Sequence, residues 1–112
     1  MADDPQVRVR NNVDASHYVV SLGDRDVGIA AYERRGSETV FTHTEIESQA
    51  RGHGIGTALA RAALDDVRAH EGTAVPRCPF IADFIRREPG YLDVVDPRAR
   101  AALRTGDDPA GQ

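Results

Sequence analysis

The sequence predicts an α+β domain with a mixed sheet, ordered β-β-β-β-α-β-α and followed by one small strand and one short helix. Three observations predict it. The first half of the chain holds short runs of alternating, β-branched and aromatic residues separated by turn formers. A glycine-rich turn, Gly52 to Gly56, then changes the periodicity from that of strands to that of a helix. The early connections are short, which suits an antiparallel meander.

Each element has a local reason. Val7 and Val9 alternate with Arg8 and Arg10 in the first strand. His17-Tyr18-Val19-Val20-Ser21-Leu22 is the second, closed by Gly23-Asp24. Val27 to Tyr32 is the third, ended by Arg35-Gly36-Ser37, and Thr39 to Ile46 is the fourth. From Gly56 to His70 the spacing is helical, with Ile55, Leu59, Ala62, Ala63 and Val67 on one face and Gly72 as the stop. Thr73 to Arg77 is a short fifth strand. Pro79 suits the first turn of a helix running to Arg87, which Glu88-Pro89-Gly90 ends. Tyr91 to Val95 reads as a last strand, and Asp96 or Pro97 to Arg104 as a last helix.

The 112 residues fit one domain, residues 7–104, with loose polar tails at 1–6 and 105–112. A hydrophobic content of 40% and a charged content of 29% are ordinary for a globular domain. No apolar run approaches the roughly 20 residues of a membrane span, and the N-terminus has no secretory pattern. A cytoplasmic protein without membrane contact is expected. The net charge of −4 argues against a nucleic-acid partner. The 14 basic residues are all arginine. Cys78 is the single cysteine, so no intrachain disulfide forms, and the histidines show no metal-ligand spacing with it. No metal is expected. The expected state is a monomer or weak dimer.

Three glycines two apart, at a strand-to-helix junction, allow positive φ and close approach of a ligand to the backbone. Unpaired N–H groups of the first helical turn favour an anion there. The turn Arg51-Gly52-His53-Gly54-Ile55-Gly56 therefore suits phosphate, with Arg51 and His53 as possible side-chain donors. A P-loop is excluded, because it needs a lysine and the chain has none. A dinucleotide fingerprint fails on glycine spacing and on the antiparallel strands before it. A glycine-rich turn without a ligand is the plain alternative.

Neighbouring residues sharpen the reading. Phe41-Thr42-His43-Thr44-Glu45-Ile46, the glycine turn, Ala63-Leu64-Asp65, Val75-Pro76-Arg77-Cys78-Pro79-Phe80 and Pro89-Gly90-Tyr91, in this order and spacing, resemble the small stand-alone YjdJ-like branch of the GNAT superfamily of acyl-CoA-dependent N-acetyltransferases. The resemblance covers roughly residues 7–96. It implies that the fourth and fifth strands splay apart around acetyl-CoA, the co-substrate. It further implies that the pantetheine arm pairs with the backbone near Ile46 and Glu47. The pyrophosphate would rest on the N–H groups from Arg51 to Thr57, through Gly52, His53, Gly54, Ile55 and Gly56. The thioester would point to the end of the fifth strand, at Cys78 and Pro79. Two positions depart from the pattern. The branch usually has His-Pro-Glu-Tyr where this chain has Glu88-Pro89-Gly90-Tyr91. Larger relatives carry a tyrosine acid after the fifth strand, where this chain has Phe84 and Ile85.

Acetyl transfer needs a base for the amine, a donor for the developing oxyanion and a leaving thiolate. Cys78 stands where the thioester would arrive. It is a covalent nucleophile, an acid toward the thiolate, or a small pocket-lining residue. His43 is the group that would activate it. His43 and Glu45 share one face of the fourth strand by alternation, and either could be the base. A surface pair is the alternative. His17 and His70 read as surface residues, and Asp65-Asp66 as a solvated helix face. Arg86-Arg87 faces either adenine-side phosphates or, by preference, water. Phe80, Phe84 and Tyr91 read as core. The sequence thus points to acetyl-CoA-dependent N-acetyl transfer to an unidentified amine, on a protein or a small cationic molecule. A domain that binds acetyl-CoA or CoA with little turnover is the rival reading.

Overall fold

Five strands form one sheet whose spatial order, β1 to β5, repeats their order in the chain. They are β1 (Val7–Asn12), β2 (His17–Leu22), β3 (Arg25–Arg35), β4 (Glu38–Ile46) and β5 (Thr73–Pro76). A computed structural model describes residues 6–52 and 54–104, without the side chains of Ala102 and Arg104. The expected tails fall outside the described residues, except Gln6, whose carbonyl accepts the Gly23 N–H at 2.9 Å. Strands β1 to β4 are antiparallel neighbours, and β5 joins β4 in parallel. The expected mixed sheet is therefore formed. Strand β3 extends beyond its apolar run because β2 and β4 flank it and supply ladder partners for its polar ends.

Three helices follow: α1 (Ile55–Ala69), α2 (Pro79–Arg87) and α3 (Pro97–Arg104). Helix α1 packs across the sheet and buries Ile55, Leu59, Ala60, Ala63, Leu64 and Val67. Opposite lie Tyr18, Tyr32 and Phe41, with ring centroids 5.3 to 6.5 Å apart. Offset and edge-on rings at this spacing add to simple burial. Asp96 begins α3, and its carboxylate accepts the Arg98 N–H at 2.9 Å, as an N-cap does. Among the described residues no helix is long and apolar enough to cross a membrane.

Two sequence expectations are corrected here. Tyr91 to Val95 is no strand: Pro89–Val94 is a 3-10 turn, and Val95 alone makes one parallel bridge to Ala74. A three-residue period turns both Tyr91 and Val94 inward, where both are buried. The Asp65-Asp66 pair is not simply solvated. Tyr91 donates its hydroxyl to Asp65 at 2.8 Å, and Tyr18 donates to Asp66 at 2.7 Å. Burial, and then the bond to each aspartate, raises the pKa of both tyrosines. These bonds tie α1 to the sheet and to the segment after α2.

A bulge decides what β4 presents. Ala31 pairs with His43 and Tyr32 with Phe41, so Thr42 is an extra residue on β4. Strict alternation would put Phe41, His43 and Glu45 on one face. Phe41 is fully buried beneath α1. After the extra residue the parity flips. Thr44 and Ile46 now share the helix side with Phe41, and His43 and Glu45 point to the outer face.

Strands β4 and β5 separate beyond the Phe41–Pro76 pair. The Cys78 N–H still reaches the Phe41 carbonyl at 3.0 Å. Past that bond β4 continues to Ile46, while the segment after β5 turns into α2. Glu47 donates its N–H to Val27 at 2.8 Å, inside the sheet. By the alternation of antiparallel ladders, the backbone groups of Thr44 and Ile46 point the other way, into the gap.

Candidate functional site

The glycine turn leaves β4 through a 3-10 turn, Ser48–Ala50, and enters α1. Gly52 (φ +86°) and Gly54 (φ +73°) are left-handed, a conformation strained for other residues. Gly56 serves a different purpose. A Cβ built there would lie 2.5 Å from the Phe80 Cζ, so the glycine lets an α2 ring sit against the start of α1.

Gly54 caps α1 without a side-chain hydrogen bond, and the first turn holds no acidic residue. Ala58 makes the first intrahelical bond, to the Gly54 carbonyl at 3.0 Å. The N–H groups of Ile55, Gly56 and Thr57 precede it, so the helix supplies them no acceptor. They border a cleft of about 500 Å³. Thr44 and Ile46 of β4 line one wall, Arg51 and the turn the end, and Phe80 and Arg87 of α2 the other wall. Among the described residues no carboxylate lines it. Two guanidiniums, a helix dipole and no acid make this cleft attractive to anions.

Of the residues expected to hold a ligand, Ile46, Arg51, Gly52, Gly54, Ile55, Gly56 and Thr57 line this one cleft. His53 lies outside the described residues. Glu47 does not line it: its N–H serves Val27, and its carboxylate pairs with Arg25 at 3.1 Å. Arg51 donates from Nε to the Ile46 carbonyl at 3.2 Å, bridging the turn to the edge of β4. Pro79 is the first residue of α2 and is exposed.

Cys78 is 3% exposed, at the N-terminus of α2. Its Sγ lies 3.1 Å from the Thr44 Oγ1. His43 is not the side chain that meets it. The His43 Nε2 instead lies 2.7 Å from the Glu45 carboxylate, with both side chains more than half exposed on the outer face. Glu45 borders a separate outer depression of about 360 Å³ with His17, Val19, Ile29 and Asp26. Hydrogen bonds from Arg10 and Ser21 hold the Asp26 carboxyl at a pKa of about 2. The structure therefore places the cysteine on one face of β4 and the histidine–glutamate pair on the other. Phe84 and Ile85 are fully buried in the core.

Sequence reading missed three cleft residues. Thr44 was hidden by the bulge. Phe80 and Arg87 stand seven residues apart on α2, hence on one helix face, and that spacing was a usable signal. Phe80 is half-buried against Gly56 and lines the cleft; it is not core alone. Arg87 is exposed, as expected, and also borders the cleft.

Comparison with known proteins shows the family and the fold. The family model described as GCN5-related N-acetyl-transferase matches residues 17–94. Protein NATD1 of Bos taurus is 34% identical over 95 residues, covering 81% of this chain and 84% of that protein. Protein NATD1 of Xenopus tropicalis is 33% identical, with 81% of this chain and 87% of that protein covered. The NMR solution structure of a GCN5-like protein from Staphylococcus aureus superposes with a TM-score of 0.61 at 16% identity. That superposition covers 85% of this chain and 91% of the other, and it bears on the fold. The matched residues hold the bulged strand, the glycine turn and Cys78, and the chain belongs to the GCN5-related N-acetyl-transferase family.

Proposed function

We propose that the chain transfers the acetyl group of acetyl-CoA to an amine, on a protein or on a small cationic molecule. One observation carries the reading: a cleft lined by no carboxylate among the described residues joins a helix N-terminus without a side-chain cap to the splayed edge of β4, and its Thr44 wall touches Cys78 at 3.1 Å. In this reading the N–H groups of Ile55, Gly56 and Thr57 take the pyrophosphate, with Arg51 beside them. The backbone edge of Thr44 and Ile46 holds the pantetheine arm, because its groups lack partners in the sheet. The reacting carbonyl then comes to the gap between β4 and β5, beside Thr44 and Cys78.

The acceptor approaches from the outer face. There His43, oriented by Glu45, takes the proton from the attacking amine. The carbon–nitrogen bond forms, the carbon–sulfur bond breaks, and CoA leaves as its thiolate. Transfer is direct, or it passes through Cys78 as an acetyl-thioester that the amine then discharges. A cytoplasmic setting and a monomeric or weakly dimeric state belong to the same proposal.

Native mass spectrometry with acetyl-CoA and no acceptor tests this. Bound acetyl-CoA is expected. A covalent gain of one acetyl group that is absent in Cys78→Ala and is released by amines identifies the route through the cysteine. Bound acetyl-CoA without an adduct identifies direct transfer, provided that thiol release follows when amines are added. Binding without any such release would make the chain a binding domain. No binding at all would sink the reading.

A further inference from the structure

We propose that Arg87 reads the 3′-phosphate of the coenzyme, so that the cleft distinguishes CoA from donors that lack this group. The inference rests on the acetyl-CoA reading above and extends it to a residue outside the glycine turn. Arg87 lines the cleft from α2, and the described residues include no carboxylate or carbonyl bonded to it. The adjacent Arg86 differs: it turns to Asp83 at 2.8 Å. One arginine of the pair is thus held on its own helix, and the other faces the cavity.

Position separates Arg87 from the pyrophosphate. Phe80 and Arg87 are seven residues apart on α2 and share a face. Phe80 touches Gly56 at the start of α1. At 1.5 Å per residue, Arg87 lies roughly 10 Å farther along α2, away from Cys78 and past the turn. A ligand that runs from the Cys78 end along β4 meets the turn N–H groups first and Arg87 beyond them. CoA has this order of charge. Its pyrophosphate follows the pantetheine arm, and its 3′-phosphate lies one ribose further on.

The chemistry matches too. A phosphate monoester carries a charge near −2 at neutral pH and three acceptor oxygens. A guanidinium meets it with two parallel donors. The diester-like pyrophosphate is satisfied by backbone donors, which leaves the side chain of Arg87 for the remaining phosphate.

Calorimetric titration with CoA and with 3′-dephospho-CoA tests the assignment on the wild type, Arg87→Gln and Arg87→Lys. The wild type is expected to bind CoA about tenfold more tightly than dephospho-CoA, as one lost charge-assisted bond implies. Arg87→Gln should erase that difference while leaving the dephospho-CoA affinity unchanged. Arg87→Lys should restore part of it. Equal wild-type affinities for the two ligands would overturn the inference and leave the acetyl-CoA reading intact. Equal weakening of both ligands in Arg87→Gln would also overturn it, by moving Arg87 to the pyrophosphate or to the fold. Failure of the wild type to bind either ligand would overturn both readings.

Discussion

The Phe80 ring occupies the space that a side chain at Gly56 would need, with 2.5 Å between the ring tip and a Cβ built at position 56. Glycine is a poor residue for a helix interior, costing about 1 kcal/mol against alanine. Its presence in the first turn of α1 is explained by the ring. Gly56→Ala is expected to push Phe80 into the cleft and weaken CoA binding about tenfold. Stability should fall by only about 1 kcal/mol, because better helix propensity offsets part of the clash. Adding Phe80→Ala should recover binding. Calorimetry on the two variants checks this, and a Gly56→Ala protein that binds as the wild type does would separate Phe80 from the site.

His43 and Glu45 stand on the outer face of β4, across the strand from the cleft. His43→Ala should lower kcat by about 10²-fold or more, the range for a lost general base. Its Kd for acetyl-CoA should be unchanged, since the histidine does not line the donor cleft. Steady-state kinetics with a saturating amine, paired with donor titration, read the two effects separately. A raised donor Kd with unchanged kcat would remove His43 from proton transfer.

Tyr18 is 3% exposed, and its hydroxyl donates to Asp66 on α1. Tyr18→Phe keeps the ring among Tyr32 and Phe41 but leaves the carboxylate without that donor. A loss of about 1–2 kcal/mol in urea unfolding is expected. The tyrosine pKa is raised in the fold, by burial first and by Asp66 second. The neutral form is thus favoured when folded. Its contribution is complete below the unfolded pKa of about 10 and is lost as pH rises above it. The wild type should lose stability faster than Tyr18→Phe above that pH.

Asp96 joins β5 to α3. Its N–H donates to the Ala74 carbonyl at 2.9 Å, and its carboxylate caps α3 and pairs with Arg98 at 3.2 Å. Arg98 holds the Asp96 pKa at about 2, below the unfolded value of about 3.9. The folded pKa is depressed, so the stabilisation is complete above the unfolded pKa and is lost as pH falls through about 2. Asp96→Asn should lower Tm at neutral pH. The difference from the wild type should shrink between about pH 4 and pH 2. Thermal melts at several pH values decide it, and a constant difference would remove the ionised carboxylate as the cause.

Local chemistry made much of the fold legible. His17 to Leu22 and Pro79 to Arg87 match their elements end to end, because β-branched runs, a proline at the first helical position and a Glu-Pro-Gly stop act within a few residues. The glycine turn was legible for the same reason: positive φ and free helical N–H groups are properties of a short segment. Tertiary structure decided what the segments face. One extra residue, Thr42, reverses the parity of β4 and gives the cleft Thr44 in place of His43. Packing across long sequence separations gives Asp65 and Asp66 their tyrosine partners, and α1 and β4 turn Phe80 and Arg87 from a helix face into a cleft wall. Periodicity reports which residues share a face, but only the partner that covers a face determines whether it becomes core, cleft or surface.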